Sequence, residues 1–178
     1  MTIEKTHLEG VYIINNFSTI DDRGMFVKTY NKSAFQDLNL DFEIRESFFS
    51  VSKKNVIRGM HFQLPPFDHE KLVFVSKGSL IDVVVDLRKK SSTYKKFISV
   101  ELSEGNRKSI FIPKGLAHGF KSLEDNTITV YNVSCEYNPK ADAGISYDSF
   151  GFDWQIKKPI ISDRDSKFDM FNSNLEYF

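Results

Sequence analysis

Cysteine is almost missing from this chain: Cys135 stands alone among 178 residues. One thiol cannot close an intramolecular disulfide, so a reducing compartment is expected and the core alone must hold the fold. Net charge is missing too, with 24 Lys+Arg against 24 Asp+Glu. Without a basic field, sequence-independent binding to nucleic acid is not expected, although a local Lys/Arg cluster can still hold a small anion such as pyrophosphate. No apolar run approaches the roughly 18 residues of a membrane span. The opening MTIEKTHLEG lacks the apolar core of a signal peptide. A cytoplasmic protein without a membrane partner is the expectation. Repeats, low-complexity stretches and linkers are absent, which leaves residues 1–178 as a single domain. A chain of this length buries about two-thirds of its unfolded surface, enough for a core without a structural metal.

Aromatics are abundant, with 17 Phe and 7 Tyr, and such residues suit pleated sheets and pockets that stack flat ligands. Strand-like runs recur at short intervals: 10–15, 24–30, 43–51, 71–76, 80–87, 96–102, 108–112, 119–122 and 127–135. Several are bounded by Gly, Pro, Asp or Ser. The run 80–87 is the clearest. Its alternation puts Leu80, Asp82, Val84 and Asp86 on one face. Ile81, Val83, Val85 and Leu87 fall on a wholly apolar second face that should pack on a core. Helical pattern is confined to Ser33–Leu38, with Ser33 as the expected N-cap, and to a turn after Asp163. Many short strands with almost no helix predict an all-β sandwich or barrel.

Two stretches concentrate chemistry: Arg58-Gly59-Met60-His61-Phe62-Gln63 followed by His69-Glu70-Lys71, and Ile112-Pro113-Lys114-Gly115-Leu116-Ala117-His118-Gly119-Phe120. Imidazole and cationic groups beside strand residues are what a barrel interior needs for a few polar groups in an apolar pocket. Each residue also has a plain structural reading. His61 and His118 are either catalytic or hydrogen-bonded core histidines. Lys71 reads equally as a surface lysine. Asp82, inside a β-branched strand, must face solvent or hold a partner. Asp86 and Arg88 suit a local ion pair. Tyr131 and Tyr137 share a face if their strand stays regular, and either packs or serves as a general acid.

At these residues the sequence resembles the dTDP-4-dehydrorhamnose 3,5-epimerase family of the cupin superfamily. The likeness runs through Asp22-Arg23-Gly24-x-Phe26, Val56 to Gln63, Lys71-Leu72-Val73, Gly78, Asp82 to Arg88, Ile112 to Phe120, Tyr131, Tyr137 and Ile161-Ser162-Asp163-Arg164-Asp165. The resemblance implies a double-stranded β-helix, or jelly roll, with a few short helices. It also implies a homodimer without metal or organic cofactor, acting on a nucleotide diphosphate 4-keto-6-deoxy sugar. By the same resemblance His61 aligns with the base, Asp165 with its carboxylate partner, Tyr131 with the acid on the other face and Lys71 with the cation near the enolate oxygen. The substrate-binding set comprises Arg23, Phe26, Lys28, Glu46, Arg58, Gln63, Asp82, His118 and Tyr137.

Two departures bear on the substrate. Glu46-Ser47-Phe48-Phe49-Ser50 stands where rhamnose-pathway members carry Gln-Asp-Asn-His-Ser, and Lys28 stands where they tend to carry Glu. A different base or sugar is therefore expected. Three rival readings share the fold. A metal-dependent cupin lacks its usual His-x-His, which is His61-x-Gln63 here. A sugar-nucleotide ketoisomerase is disfavoured by Tyr131, Lys71 and Asp165. A non-enzymatic sugar-binding cupin needs neither acid nor base.

Overall fold

The computed structural model describes residues 1–178. Thirteen strands follow in order: β1 (Thr2–Lys5), β2 (Tyr12–Asn15), β3 (Phe17–Asp21), β4 (Gly24–Lys28), β5 (Glu46–Ser52), β6 (Ile57–Gln63), β7 (Lys71–Lys77), β8 (Ser79–Asp86), β9 (Phe97–Ser103), β10 (Lys108–Ile112), β11 (Leu116–Ser122), β12 (Thr127–Val133) and β13 (Asp142–Gly144). One short helix, α1 (Lys32–Asp37), lies between β4 and β5, and a 3₁₀ turn spans Asp165–Lys167. The strands form a six-stranded sheet, β1-β2-β10-β7-β12-β5, and a five-stranded sheet, β13-β6-β11-β8-β9. A separate two-stranded ribbon joins β3 to β4. Two antiparallel sheets with interleaved chain order are the expected jelly roll.

Successive strands cross between the sheets at tight corners. Gly78, with φ +77°, is the single residue between β7 in one sheet and β8 in the other. A Cβ there would meet the Thr127 side chain at 2.7 Å, so the corner needs glycine.

Strand alternation then sorts the core into layers. Leu80 and Val84 of β8 point between the sheets and join Leu8, Val73, Ile110, Leu116 and Phe120 in the central cluster. The apolar face of the same strand, Val83 and Val85 with Leu87, packs outward with Met60, Phe62 and Trp154. The chain beyond β13 supplies its cover, including Phe152, Phe171 and Phe178. On the other side, α1 buries Phe35 with Phe42 and Leu72 against the six-stranded sheet.

Two local expectations need correction. The cap of α1 is Asn31, whose Oδ1 accepts from the Ala34 N–H at 3.0 Å, and Ser33 lies inside the helix. The strands β1, β3 and β13 carry no clear alternating signal, and β1 and β3 are largely exposed.

Candidate active site

One end of the space between the sheets is filled by the central cluster; the other opens into a cavity of about 350 Å³. His61 on β6 and His118 on β11 are direct cross-strand partners, so their side chains stand next to each other on one wall. Tyr131 on β12 and Lys71 on β7 belong to the facing sheet.

Simple alternation would put Arg58 and His61, three positions apart, on opposite faces. Both line the cavity. The cause is an irregularity in the β6–β11 pairing: Arg58 faces Phe120 and His61 faces His118, so three steps along β6 match two along β11. Gly59, at φ +132°, occupies this bulge, where a Cβ would fall 2.5 Å from the Gly119 Cα. Two glycines thus let the strands approach closely enough to turn both polar side chains inward.

Two histidine–carboxylate pairs result. His61 Nε2 lies 2.9 Å from Asp165 Oδ1. Asp165 sits in the 3₁₀ turn near the far end of the chain, and its Oδ2 accepts the Gly59 N–H at 3.0 Å. A carboxylate only accepts, so His61 Nε2 carries the proton and Nδ1 keeps a lone pair. Burial holds the His61 imidazole below its ordinary pKa, aided by the Lys71 and Arg164 cations and opposed by Asp165. Burial raises the Asp165 carboxyl, yet the hydrogen bonds from His61 and Gly59 hold it below its usual range. A neutral imidazole beside a carboxylate is the form a general base needs.

The second pair is His118 Nε2 with Asp82 Oδ2 at 2.7 Å, both essentially buried. Asp82 therefore finds the partner its burial demanded. It does not itself line the cavity: it stands behind His118. Lys71 donates to the His61 carbonyl oxygen at 3.2 Å. Desolvation pulls the Lys71 ammonium down to about 8, against the attraction of the Asp82 and Asp142 carboxylates. Burial pushes the Tyr131 phenol well above its usual pKa, so it remains protonated at neutral pH.

The other sequence-derived residues divide into two groups. Arg58, Gln63, Glu46 and Tyr137 line the cavity together with His61, His118, Lys71 and Tyr131. Gln63 is spent on structure: its Oε1 accepts the Asn138 N–H at 2.6 Å and its Nε2 donates to the Phe67 carbonyl oxygen at 2.9 Å. A metal site would need a ligand where this committed amide stands. Glu46 accepts the Tyr137 N–H at 2.7 Å at the cavity mouth.

Arg23, Phe26 and Lys28 lie apart from the cavity. They belong to the β3–β4 ribbon, where the Arg23 side chain is 90% exposed and pairs with Asp21 at 2.6 Å. The ribbon is hydrogen-bonded to neither sheet, and none of these three residues lines the cavity of its own chain. Asp86 and Arg88 form the expected local ion pair, at 2.8 Å, and neither lines the cavity.

Arg164 and Asp142 are lining residues to which the sequence reading gave no role in the site. Arg164 reaches the cavity, donates to Asp142 Oδ1 at 2.9 Å and stacks over Phe168. Its signal was its place beside Asp165. Asp142 also lines the cavity, as do Phe48 of the substrate-related stretch and His69 of the first chemical stretch; burial lowers the His69 pKa to about 4.

This constellation places an imidazole, an ammonium and a phenol around one small cavity, and comparison with known proteins then decides the family. The model of the family described as dTDP-4-dehydrorhamnose 3,5-epimerase matches residues 5–173. The chain belongs to the dTDP-4-dehydrorhamnose 3,5-epimerase family. The family member from Methanothermobacter thermautotrophicus is 39% identical over 178 residues, covering 97% of this chain and 96% of the relative. The Bacillus anthracis epimerase structure, with TDP and PPi bound, superposes with a TM-score of 0.93 at 33% identity, covering 96% of this chain and 99% of that one. The Legionella pneumophila epimerase in complex with dTDP-4-keto-L-rhamnose gives a TM-score of 0.90 at 30% identity, covering 95% and 92%. Family membership also establishes the jelly-roll class of the fold.

Proposed function

We propose that this protein epimerises a nucleotide diphosphate 4-keto-6-deoxy sugar at C3, C5 or both, without a cofactor, in deoxysugar biosynthesis for surface polysaccharide or glycoconjugate. The observation that carries this reading is the His61–Asp165 pair, held on β6 and the 3₁₀ turn, across the cavity from Tyr131 and Lys71 on neighbouring strands of the other sheet. A C4 ketone acidifies the protons on its neighbouring carbons. Neutral His61 takes one, the C–H electrons form a C=C bond, and the carbonyl electrons move to oxygen as an enolate. The Lys71 ammonium stabilises that oxygen in a water-poor site. Tyr131 then protonates the carbon from the opposite face. The resulting phenolate and imidazolium return to their starting states by proton exchange with water.

Arg58 and Arg164 at the cavity supply guanidinium forks suited to a diphosphate. The base handled at the mouth is proposed to differ from thymine, or else the sugar differs. Glu46 is an acceptor, and thymine offers it one N–H flanked by two carbonyl oxygens. Binding of dTDP, UDP, CDP and GDP tests the first alternative, and a clear preference for dTDP contradicts a base other than thymine.

The working unit is proposed to be a cytoplasmic homodimer. Its support is the ribbon: Phe17, Ile20, Met25 and Phe26 are exposed there, and the β5 edge exposes Phe49 and Val51. A second copy covering these surfaces would carry Arg23, Phe26 and Lys28 to the neighbouring cavity. The reaction itself is tested by incubation in deuterated water with freshly made 4-keto sugar nucleotides. NMR should find deuterium at C3 or C5 with inversion. A sugar-binding cupin would incorporate none.

A further inference from the structure

We propose that Phe48 is a positioning residue that holds Tyr131 on target, so that each proton His61 removes is answered by a proton on the opposite face. The inference rests on the epimerase reading above.

The geometry is a clamp on one ring. Phe48 of edge strand β5 is the direct cross-strand partner of Tyr131. Their rings stack with centroids 4.8 Å apart and planes 16° from parallel. The His118 ring meets Tyr131 edge-on, with centroids 6.1 Å apart and an interplanar angle of 70°. His118 cannot yield, because Asp82 holds it from behind at 2.7 Å. Tyr131 is therefore gripped from two sheets at once.

Phe48 is 46% exposed, so burying its own surface does not account for a large apolar ring at this point of a cavity wall. Loss of the stack would free Tyr131 to populate other staggered rotamers and swing its phenol away.

The consequence follows from the order of events. His61 makes the enolate and becomes imidazolium. If the phenol is in place, its O–H proton goes to the far face, the C=C electrons form the new C–H bond, and the centre inverts. If the phenol is away, the imidazolium returns a proton to the face it came from. Having exchanged with solvent meanwhile, it leaves a labelled but uninverted carbon. The clamp thus sets the ratio of inversion to bare exchange, which a purely structural role would not alter.

The test uses the full chain in deuterated water with a 4-keto sugar nucleotide that the wild type inverts. NMR follows deuterium in recovered substrate and in inverted product. Phe48→Ala and Phe48→Leu should each raise exchange relative to inversion about tenfold, lower kcat for inversion by a similar factor and leave KM within about twofold. Phe48→Tyr should restore the wild-type ratio. The leucine variant keeps apolar cover on the strand, so it answers the question even if the alanine variant is poorly folded. An unchanged ratio in Phe48→Leu contradicts the clamp, whether or not KM rises. A wild type that incorporates no deuterium contradicts the epimerase reading, and the clamp falls with it.

Discussion

In the proposed reaction His61 works as a base only while its imidazole is neutral, and Lys71 stabilises an enolate only while its amine is charged. Burial lowers both pKa values, so the two requirements bracket a pH window. Activity falls as acid protonates His61, at a pH below the imidazole's ordinary 6.5. It falls again as base removes the Lys71 proton near pH 8. A bell-shaped kcat/KM profile is expected, its acid limb below 6.5 and its alkaline limb near 8. An acid limb above 7, or a plateau extending to pH 10, contradicts these assignments. Reading single residues from sequence had clear limits. The roles proposed for His61, Lys71, Tyr131 and Asp165 rest on an ordered set of motifs rather than on any one residue. Arg164 and Asp142 look like ordinary surface charges until the fold carries Arg164 back to the cavity wall and pairs the two. Lys71 looks the same in sequence, yet it is nearly buried.

At the scale of elements, the cavity wall that carries Arg58 and His61 depends on the β6–β11 bulge more than on strand propensity. Gly59→Ala would force a Cβ against the Gly119 Cα and the His118 carbonyl oxygen, at a φ that L side chains rarely adopt. A loss of about 3 kcal/mol is expected, read as a lower urea midpoint, with inversion activity falling further than stability. Wild-type stability together with wild-type activity would show that the bulge does not set the site. Strands with strong alternation, such as β8, β10 and β12, were legible because burial on one or both faces demands apolar residues. β3 escaped notice because it is almost wholly exposed, so no periodic burial is written into Phe17–Asp21. The inward turn of Arg58 together with His61 was equally hidden, since alternation alone assigns them to opposite faces.

For the whole molecule, the distance between the ribbon and its own cavity has a direct consequence. If Arg23, Phe26 and Lys28 act in a neighbouring protomer, two inactive variants can repair each other. Protomers carrying Arg23→Ala with Phe26→Ala, mixed and re-associated with protomers carrying His61→Asn, should regain activity. One site in each mixed dimer then holds an intact base and an intact partner ribbon. About a quarter of wild-type activity is expected from random pairing in a two-fold dimer. No recovery in mixtures shown to exchange subunits contradicts the exchange of ribbons. The central claim, that His61 drives proton exchange beside a ketone, is tested most directly by comparing the wild type with His61→Asn in deuterated water. Both are given the same 4-keto sugar nucleotide, and NMR follows positions 3 and 5. The wild type should incorporate deuterium at the inverted carbon, while the folded, nucleotide-binding His61→Asn protein should incorporate none. Full incorporation by that variant would contradict the assignment of the base.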